Sequence, residues 1–386
     1  MKPIYLDHAA TTPVREEVAQ AMASCLAESF GNPSSIHRWG RVAAAALAEA
    51  RDTCAQAIGA KASEVYFVRG GTESDNMAIM GRVARLRGDG RTPTVVVTEV
   101  EHKAVIDAAR QATARGAGRM VTLAVGPDGS LDGDALDVAL ADADTVVSVM
   151  WVNNETGTIL PVHEVAHRAE ATGATFHTDA VQAVGKVPVR VDDVPVDLLT
   201  LTGHKISGPR GCGLLYVRSG THLSPLLHGG GQERGLRPGT EDVAGSVGLA
   251  TALRLAVEEQ EAEATRLKGL RDALEAGMTA RVDGVRVNGG EGRRAPHVSN
   301  LAIPDVEGQA LLMALDMAGI AASGGSACDS GAAKGSHVIA ALYGDADPYA
   351  TVRFSLGRTT SEEHIERAME ATVTVIEDLR SGAAGP

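Results

Sequence analysis

Val196-Asp197-Leu198-Leu199-Thr200-Leu201-Thr202-Gly203-His204-Lys205-Ile206-Ser207-Gly208-Pro209 is an apolar run followed by a loop rich in glycine and proline. A run of this length with such a boundary is typical of a buried β-strand. Open α/β sheets hold their ligands at the ends of strands, so the loop that carries Lys205 is a candidate site. A single lysine in such a loop is more often only a solvated cation, and the neighbouring segments have to distinguish the two interpretations.

Further short apolar runs alternate with helical patterns along the chain. They lie at residues 65–68, 94–97, 120–123, 146–150 and 174–179, and one more follows at 214–217. Strands that alternate with helices predict an α/β fold with a largely parallel sheet covered by helices.

The length of 386 residues exceeds the size at which a single core stops growing, so two lobes are expected. A long helical pattern at about 242–280 leaves the first lobe and enters the second. We therefore predict a large domain at 15–255, and a small domain formed by 1–14 together with 256–386. The net charge of −13 argues against direct binding of nucleic acid, which is driven by cationic side chains.

The N-terminus has no basic start followed by a long apolar stretch, and no later apolar segment reaches spanning length. These features predict a cytoplasmic protein that does not bind membranes. The four cysteines are too few and too scattered for a disulfide scaffold, so they are expected to be reduced. Cys25 and Cys54 follow helical spacing and are predicted core thiols, Cys212 precedes a strand, and Cys328 lies in a small, polar loop that suits a reactive thiol.

Two other segments supply partners for Lys205. Asp179 ends the run at 174–179 and Gln182 follows it, and an aldehyde cofactor bound to a lysine needs an acid at its pyridine nitrogen. Gly71-Thr72 lies between a predicted strand and a predicted helix, where unpaired N–H groups attract phosphate, although a plain helix cap would show the same pattern.

The chain resembles the pyridoxal-phosphate-dependent cysteine desulfurases, which have fold type I and belong to the class V aminotransferase group. The similar segments follow the family order over nearly the whole sequence. They lie at 5–13, 30–35, 71–76, 101–105, 153–157, 174–182, 202–209, 229–235, 323–328 and 353–355.

The resemblance implies a large domain with a mainly parallel seven-stranded sheet covered by helices, and a smaller α+β domain. It also implies that L-cysteine is converted to L-alanine with pyridoxal 5'-phosphate as cofactor. The sulfur would pass as a persulfide on Cys328 to an acceptor protein, such as an iron–sulfur scaffold or a thiolation factor. No metal site is implied.

The resemblance also assigns roles to individual residues. Lys205 would carry the cofactor covalently and remove the Cα proton, while His102 would stack on the cofactor ring. Asn154 and Arg353 would hold the substrate, and Thr240 would reach the site of a partner subunit in a homodimer. The remaining cofactor contacts would come from Gly71, Thr72, Asn154, Asp179, Gln182, Thr202 and His204. From its own sequence context, His102 could equally cap a helix. A structural ion pair is the alternative for Arg353, and the resemblance favours substrate binding over it.

Several alternatives stay open at this stage. The same cofactor supports a selenocysteine lyase or another class V aminotransferase, and a sulfur carrier that keeps the fold without turnover is a further possibility. His163-Glu164-Val165-Ala166-His167 matches a zinc protease motif, but no third ligand stands at the usual spacing. The residues at 329–337 depart from the usual family loop, which leaves the choice of acceptor undetermined.

Overall fold

A computed structural model describes residues 2–116, 118–325, 335–344 and 347–382 of the protein. The strands are β1 (Ile4–Tyr5), β2 (Val65–Val68), β3 (Thr94–Thr98), β4 (Arg119–Leu123), β5 (Thr145–Ser148), β6 (Thr175–Asp179), β7 (Leu198–Thr202), β8 (Gly213–Val217), β9 (Arg286–Val287), β10 (Val298–Ile303), β11 (Ile320–Ala321) and β12 (Ala350–Ser355). The helices are α1 (Glu16–Glu28), α2 (Arg38–Ile58), α3 (Gly71–Gly88), α4 (Lys103–Thr113), α5 (Gly133–Leu140), α6 (Val162–Thr172), α7 (Val243–Glu258), α8 (Gln260–Arg281), α9 (Gly308–Met317), α10 (His337–Tyr343) and α11 (Glu362–Ser381).

The larger sheet has the order β2-β8-β7-β6-β5-β3-β4, which gives seven strands in the described part of the chain. The pairs from β7 through β6, β5 and β3 to β4 are parallel, whereas β8 runs antiparallel to both of its neighbours. The predicted α/β class with a mainly parallel seven-stranded sheet is therefore confirmed.

Both faces of this sheet are covered, because successive side chains of a strand point to opposite sides. On β3, Val95 and Val97 pack with apolar residues of α3 and α4, whereas Val96 belongs to the core that includes α2, α6 and α7. A strand buried on both faces has apolar residues at successive positions, so its sequence shows no alternation of apolar and polar residues. Helix α6 is capped at its C-terminal end by Gly173, whose φ of 77° suits glycine and turns the chain directly into β6.

A second core forms around the three-stranded antiparallel sheet β12-β10-β9, with α8, α9 and α11. The N-terminal residues Ile4 and Leu6 pack in this core, and β1 pairs in parallel with β11. The exact domain boundaries proposed from the sequence stay a prediction.

The helical pattern predicted as one stretch at about 242–280 consists of two helices, α7 and α8, which meet at Glu259. The Glu259 carboxylate pairs with Arg15, at 2.8 Å between Oε1 and Nη1, so the junction is tied to the start of α1. Within the described residues, no helix combines the length and the apolar character needed to cross a bilayer.

Candidate active site

A cleft of about 830 Å³, a volume that includes space open to solvent, lies at the end of strands β6 and β7. It is also lined by the N-terminal arm, the start of α3 and a side chain of β12. Ten residues proposed from the sequence lie together in its wall. They are Gly71, Thr72, His102, Asn154, Asp179, Gln182, Thr202, His204, Lys205 and Arg353.

The strand ends explain why Asp179 and Lys205 meet. Asp179 is the last residue of β6 and pairs in register with Thr200 of the parallel strand β7. A short 3-10 turn, Gly203–Lys205, follows β7 immediately. Parallel neighbours end at the same edge of a sheet, so the carboxylate and the amine face one cleft.

The N-terminal arm holds the loop that carries Lys205. The Lys205 Nζ donates to the backbone carbonyls of Ala9 and Ala10, at 2.6 and 2.8 Å. The Thr12 hydroxyl donates to the carbonyl of His204 at 2.8 Å and accepts from the N–H of Ser207 at 2.8 Å. Ser207 has a φ of 60°, a conformation that a non-glycine residue keeps only when its surroundings enforce it.

Asp179 lies at the floor of the cleft as a buried acid. Its Oδ1 accepts from the N–H of Val181 at 2.8 Å. Burial raises the pKa of Asp179, while the nearby His102 and Lys205 act in the opposite direction. A cation placed against this carboxylate would favour its ionised form further.

His102 caps a helix and also lies in the wall of the cleft. Its Nδ1 accepts from the N–H of Ala104 at 3.1 Å and so caps α4, while the same residue lines the cleft. Burial lowers the pKa of His102, which favours an uncharged ring.

The start of α3 forms a narrow backbone cradle beside the cleft. Gly70 has a φ of 144°, and a Cβ at Gly71 would stand 3.2 Å from Cγ2 of Val181. The Thr202 hydroxyl lies close to Gly70 and donates to the carbonyl of Cys212 at 3.1 Å, and burial lowers the pKa of His204 to about 4. The N–H groups of an eighteen-residue helix therefore face the cleft beside two neutral hydrogen-bonding side chains.

Arg353 reaches the cleft from β12 with only 1% of its surface exposed. Its Nη2 donates to Asp7 Oδ1 at 2.8 Å, and its Nη1 donates to the carbonyl of Asn154 at 3.0 Å. The structural ion pair weighed from the sequence thus exists. The Nε of Arg353 is buried and has no hydrogen-bond partner among the described residues.

Comparison with known proteins identifies the family. A model of the aminotransferase class-V family matches residues 4–368. The chain belongs to this family. Within the class-V family it is 44% identical to cysteine desulfurase NifS of Azotobacter vinelandii, with 99% of this chain and 94% of that protein covered.

Solved structures of class-V relatives agree. A NifS-like protein matches with a TM-score of 0.90 and 32% identity, covering 98% of this chain and 100% of the other. A structure of SspA in complex with cysteine matches with a TM-score of 0.79 and 31% identity, covering 92% and 98%. These relatives carry the predicted fold over nearly the whole chain.

The sequence interpretation missed one acid in the wall of this class-V cleft. Asp75 of α3 is 1% exposed and lines the cleft. Burial raises its pKa well above the ordinary value, and the like charge of Asp179 adds to the effect. Its position four residues after Gly71, on the first turns of α3, is the signal that would have found it.

A buried histidine lies next to Asp75. The Nδ1 of His177 is 2.8 Å from the Ser148 hydroxyl, and its Nε2 is 3.1 Å from the Thr200 hydroxyl and 3.6 Å from Asp75 Oδ1. Burial lowers the pKa of His177 from 6.5 to about 3. The His177 ring therefore stays neutral in the folded protein at the pH values just below 6.5 where it begins to bind a proton in the unfolded chain.

This shift predicts a pH dependence of stability. Above pH 6.5, His177 is neutral in both the folded and the unfolded state, and the free energy of unfolding keeps its full value. Between pH 6.5 and about 3, only the unfolded state binds the proton. In that window His177 lowers the free energy of unfolding by about 1.4 kcal/mol per pH unit as pH falls. The free energy of unfolding, measured with urea from pH 7 to 4.5, should fall less steeply with decreasing pH in His177→Gln than in the wild type. An equal dependence on pH in both proteins would contradict the prediction. The control is His167→Gln, because His167 is an exposed histidine on α6.

Two proposed residues are not among the described residues of the cleft wall. Thr240 is exposed and lies outside the cleft of its own chain. Cys328 lies outside the described residues. The other three cysteines are buried, as predicted for Cys25 and Cys54, and burial raises the pKa of Cys54 and of Cys212 to about 12.

The zinc protease motif lies on α6, away from the cleft. His163 packs edge-on against the ring of Trp151, and Glu164 pairs with Arg168 at 2.8 Å. In the ranges that the structure describes, no group of three or more metal-ligating side chains is close enough to hold an ion.

Proposed function

We propose that this chain is a pyridoxal-phosphate-dependent cysteine desulfurase that converts L-cysteine to L-alanine and transfers the sulfur through Cys328. The observation that carries the proposal is a single cleft that combines the amine of Lys205, the acid of Asp179 and the guanidinium of Arg353. The names of its class-V relatives, and the relative that binds cysteine, support the same reaction.

The residues of the cleft fit the chemistry of pyridoxal 5'-phosphate. The N–H groups of Gly71 and Thr72, with the side chains of Thr202 and His204, would hold the phosphate. Asp179 would pair with the pyridine nitrogen and Gln182 with the phenolic oxygen, while His102 would stack on the ring. The bound cofactor supplies the electron sink that stabilises negative charge at the substrate Cα.

Arg353 and Asn154 would orient the amino acid. A forked guanidinium donates to both oxygens of a carboxylate, and burial beside Asp7 fixes its direction before the substrate arrives. This arrangement would place the substrate Cα near Lys205, the base that takes its proton.

Cys328 would then accept the sulfur. Its thiolate forms a bond to the substrate sulfur while the Cβ–S bond breaks, and that electron pair stays with the carbon skeleton. Protonation of the skeleton gives alanine, and Cys328 is left as a persulfide that an acceptor thiol can remove. An iron–sulfur scaffold or a thiolation factor in the cytoplasm is the acceptor class that this proposal predicts.

Replacing Arg353 by lysine is expected to raise the KM for L-cysteine by about tenfold to a hundredfold, because one charged hydrogen bond to the carboxylate is lost. Alanine formation at saturating cysteine should change much less. The measurement is initial rate against cysteine concentration. Arg271→Lys alters another buried arginine, which is 5% exposed and does not line the cleft, and should keep the wild-type KM. A normal KM for Arg353→Lys would remove Arg353 from the substrate site.

A homodimer in which Thr240 acts on the partner's site is the second part of the proposal. Apolar side chains around the connection of α1 and α2 are widely exposed, with Phe30 at 68%, Ile36 at 92% and Trp39 at 54%. Large exposed apolar patches mark interaction surfaces, and a second copy of the chain would cover this one.

Subunit mixing tests this arrangement. Thr240→Val should weaken cofactor affinity by about tenfold, since one hydrogen bond to the phosphate is removed. Mixing Thr240→Val subunits with inactive Lys205→Ala subunits should raise activity, because each mixed dimer contains one site with both residues intact. No gain on mixing, or a monomer in sedimentation, would refute the role of Thr240 across the dimer.

The decisive experiment for the function is product analysis. Protein loaded with pyridoxal 5'-phosphate should release one alanine for each sulfur delivered to a thiol acceptor when L-cysteine is the substrate. Alanine formed from selenocysteine alone would support the lyase instead. A requirement for a keto acid would support transamination, and no turnover would support a carrier.

A further inference from the structure

Asp75 is a buried acid in the wall of the cleft that the proposed reaction does not use. It is 1% exposed, and its Oδ1 has no hydrogen-bond partner among the described residues. In the described part of the chain, His177 is the only basic side chain within ion-pair distance, at 3.6 Å between Nε2 and Oδ1. A buried carboxylate is costly unless a cation pairs with it, and acids in such surroundings concentrate at functional sites.

The hydrogen bonds of His177 favour a neutral ring. The Ser74 hydroxyl donates to the carbonyl of Leu214 at 3.2 Å, and the Thr200 hydroxyl donates to Ser74 at 2.8 Å. Because the Thr200 proton is used in that bond, Thr200 accepts from Nε2 of His177. The other ring nitrogen, Nδ1, lies 2.8 Å from the Ser148 hydroxyl, which supplies the proton of this bond to a neutral ring. His177 therefore offers Asp75 no positive charge.

Asp75 and Asp179 share the cleft, but their electrostatic surroundings differ. Asp179 follows the histidine by two residues on β6, so both side chains point to the same side of the sheet. Burial raises the pKa of both acids. The like charge of Asp179 raises the pKa of Asp75 further, and the nearby Thr200 hydroxyl opposes this more weakly. By contrast, His102 and Lys205 lower the pKa of Asp179.

We propose that Asp75 keeps its proton and serves as a positioning residue, a neutral acid that holds Asp179 in its ionised form for the pyridine nitrogen of the cofactor. The inference rests on the proposed function, because a pyridoxal cofactor is what gives Asp179 this task. Asp75 does not contact the reacting atoms in this scheme, and its effect reaches them through Asp179.

Electrostatics explains why a neutral acid suits this position. Two negative charges in one buried site repel each other, so a pair of acids in such a site retains a proton on one of them. The acid with cations beside it takes the charge, and the polar group of the other stabilises that charge. An apolar side chain at position 75 would remove this stabilisation and leave more of Asp179 protonated. Protonated Asp179 pairs poorly with a protonated pyridine ring, so the cofactor would bind less tightly.

The variants Asp75→Asn and Asp75→Leu test the proposal. Both replacements are close to aspartate in size, but asparagine keeps a neutral polar group with a donor, whereas leucine has none. We expect the affinity for pyridoxal 5'-phosphate at neutral pH to stay within about threefold of wild type in Asp75→Asn. In Asp75→Leu it should fall about tenfold to a hundredfold, because a hydrogen-bonding group beside a charge is lost. The measurement is a titration of the full-length protein, freed of cofactor, followed by visible absorbance.

Infrared difference spectroscopy reads the proton of Asp75 without turnover. A protonated carboxylic acid has a C=O stretching band that a carboxylate lacks. The spectrum of the wild type minus that of Asp75→Asn should therefore contain the band of one protonated acid at neutral pH, both with and without cofactor.

Glu64→Gln is the matched control for both measurements. It makes the same change from acid to amide at another buried carboxylate, which accepts from the N–H groups of Lys61 and Ser219 and does not line the cleft. Its infrared difference should show an ionised carboxylate, and its cofactor affinity should equal that of the wild type.

Three results would overturn the inference. The first is a carboxylate band for Asp75 in the infrared difference. The second is a cofactor affinity in Asp75→Asn as low as in Asp75→Leu, because an ionised carboxylate would then be required. The third is wild-type affinity in Asp75→Leu. If Asp75→Leu does not fold, the infrared band and the affinity of Asp75→Asn decide. If the wild type binds no pyridoxal 5'-phosphate, the proposed function fails, and the infrared band still decides whether Asp75 keeps its proton.

Discussion

Lys205→Ala is expected to lose the covalently bound cofactor and to form alanine about ten thousandfold more slowly than the wild type. Lys205 would serve twice, as the amine that binds the cofactor and as the base at the substrate Cα. Its Nζ is already directed into the cleft by the carbonyls of Ala9 and Ala10. The measurements are the visible absorbance of the purified protein and the initial rate of alanine formation.

The control for this variant is Lys268→Ala, which removes a lysine paired with Asp272 on the surface of α8. It should keep both the absorbance and the rate. If Lys205→Ala were still yellow after dialysis and reduction with borohydride labelled another lysine, the assignment of Lys205 would be wrong.

Cys328→Ala is expected to bind the cofactor and L-cysteine normally but to form alanine at least about a thousandfold more slowly than the wild type. The reason is that no other thiol can replace it, because Cys25, Cys54 and Cys212 are all buried. Mass spectrometry of the wild type after one turnover should show one added sulfur atom on the peptide that contains Cys328.

Cys212→Ala provides the matched control, since Cys212 packs beside Asp242 outside the cleft and should not affect turnover. Alanine and sulfide released at the normal rate by Cys328→Ala would exclude a persulfide at this position.

Much of the candidate site follows from local sequence patterns. The apolar runs that end at Asp179 and Thr202 place these residues at one edge of the sheet, and the adjacent loop brings Lys205 to the same edge. Asp75 was missed because its burial depends on how α3 packs over the sheet, which a helical pattern does not reveal. Thr240 lies outside the cleft of its own chain, so a sequence motif can suggest its role but only an assembly can test it.

The sequence alone determined that the chain forms an α/β sheet with a lysine and an acid at neighbouring strand ends. Strand periodicity and loop composition are properties of short segments, so they can be recognised without knowledge of distant contacts. Only the tertiary structure decided that Asp7 meets Arg353 and that Glu155 meets Ser336, across 346 and 181 residues. Such pairs join segments that are distant in the chain, and their contact depends on the shape of the whole molecule rather than on any local pattern.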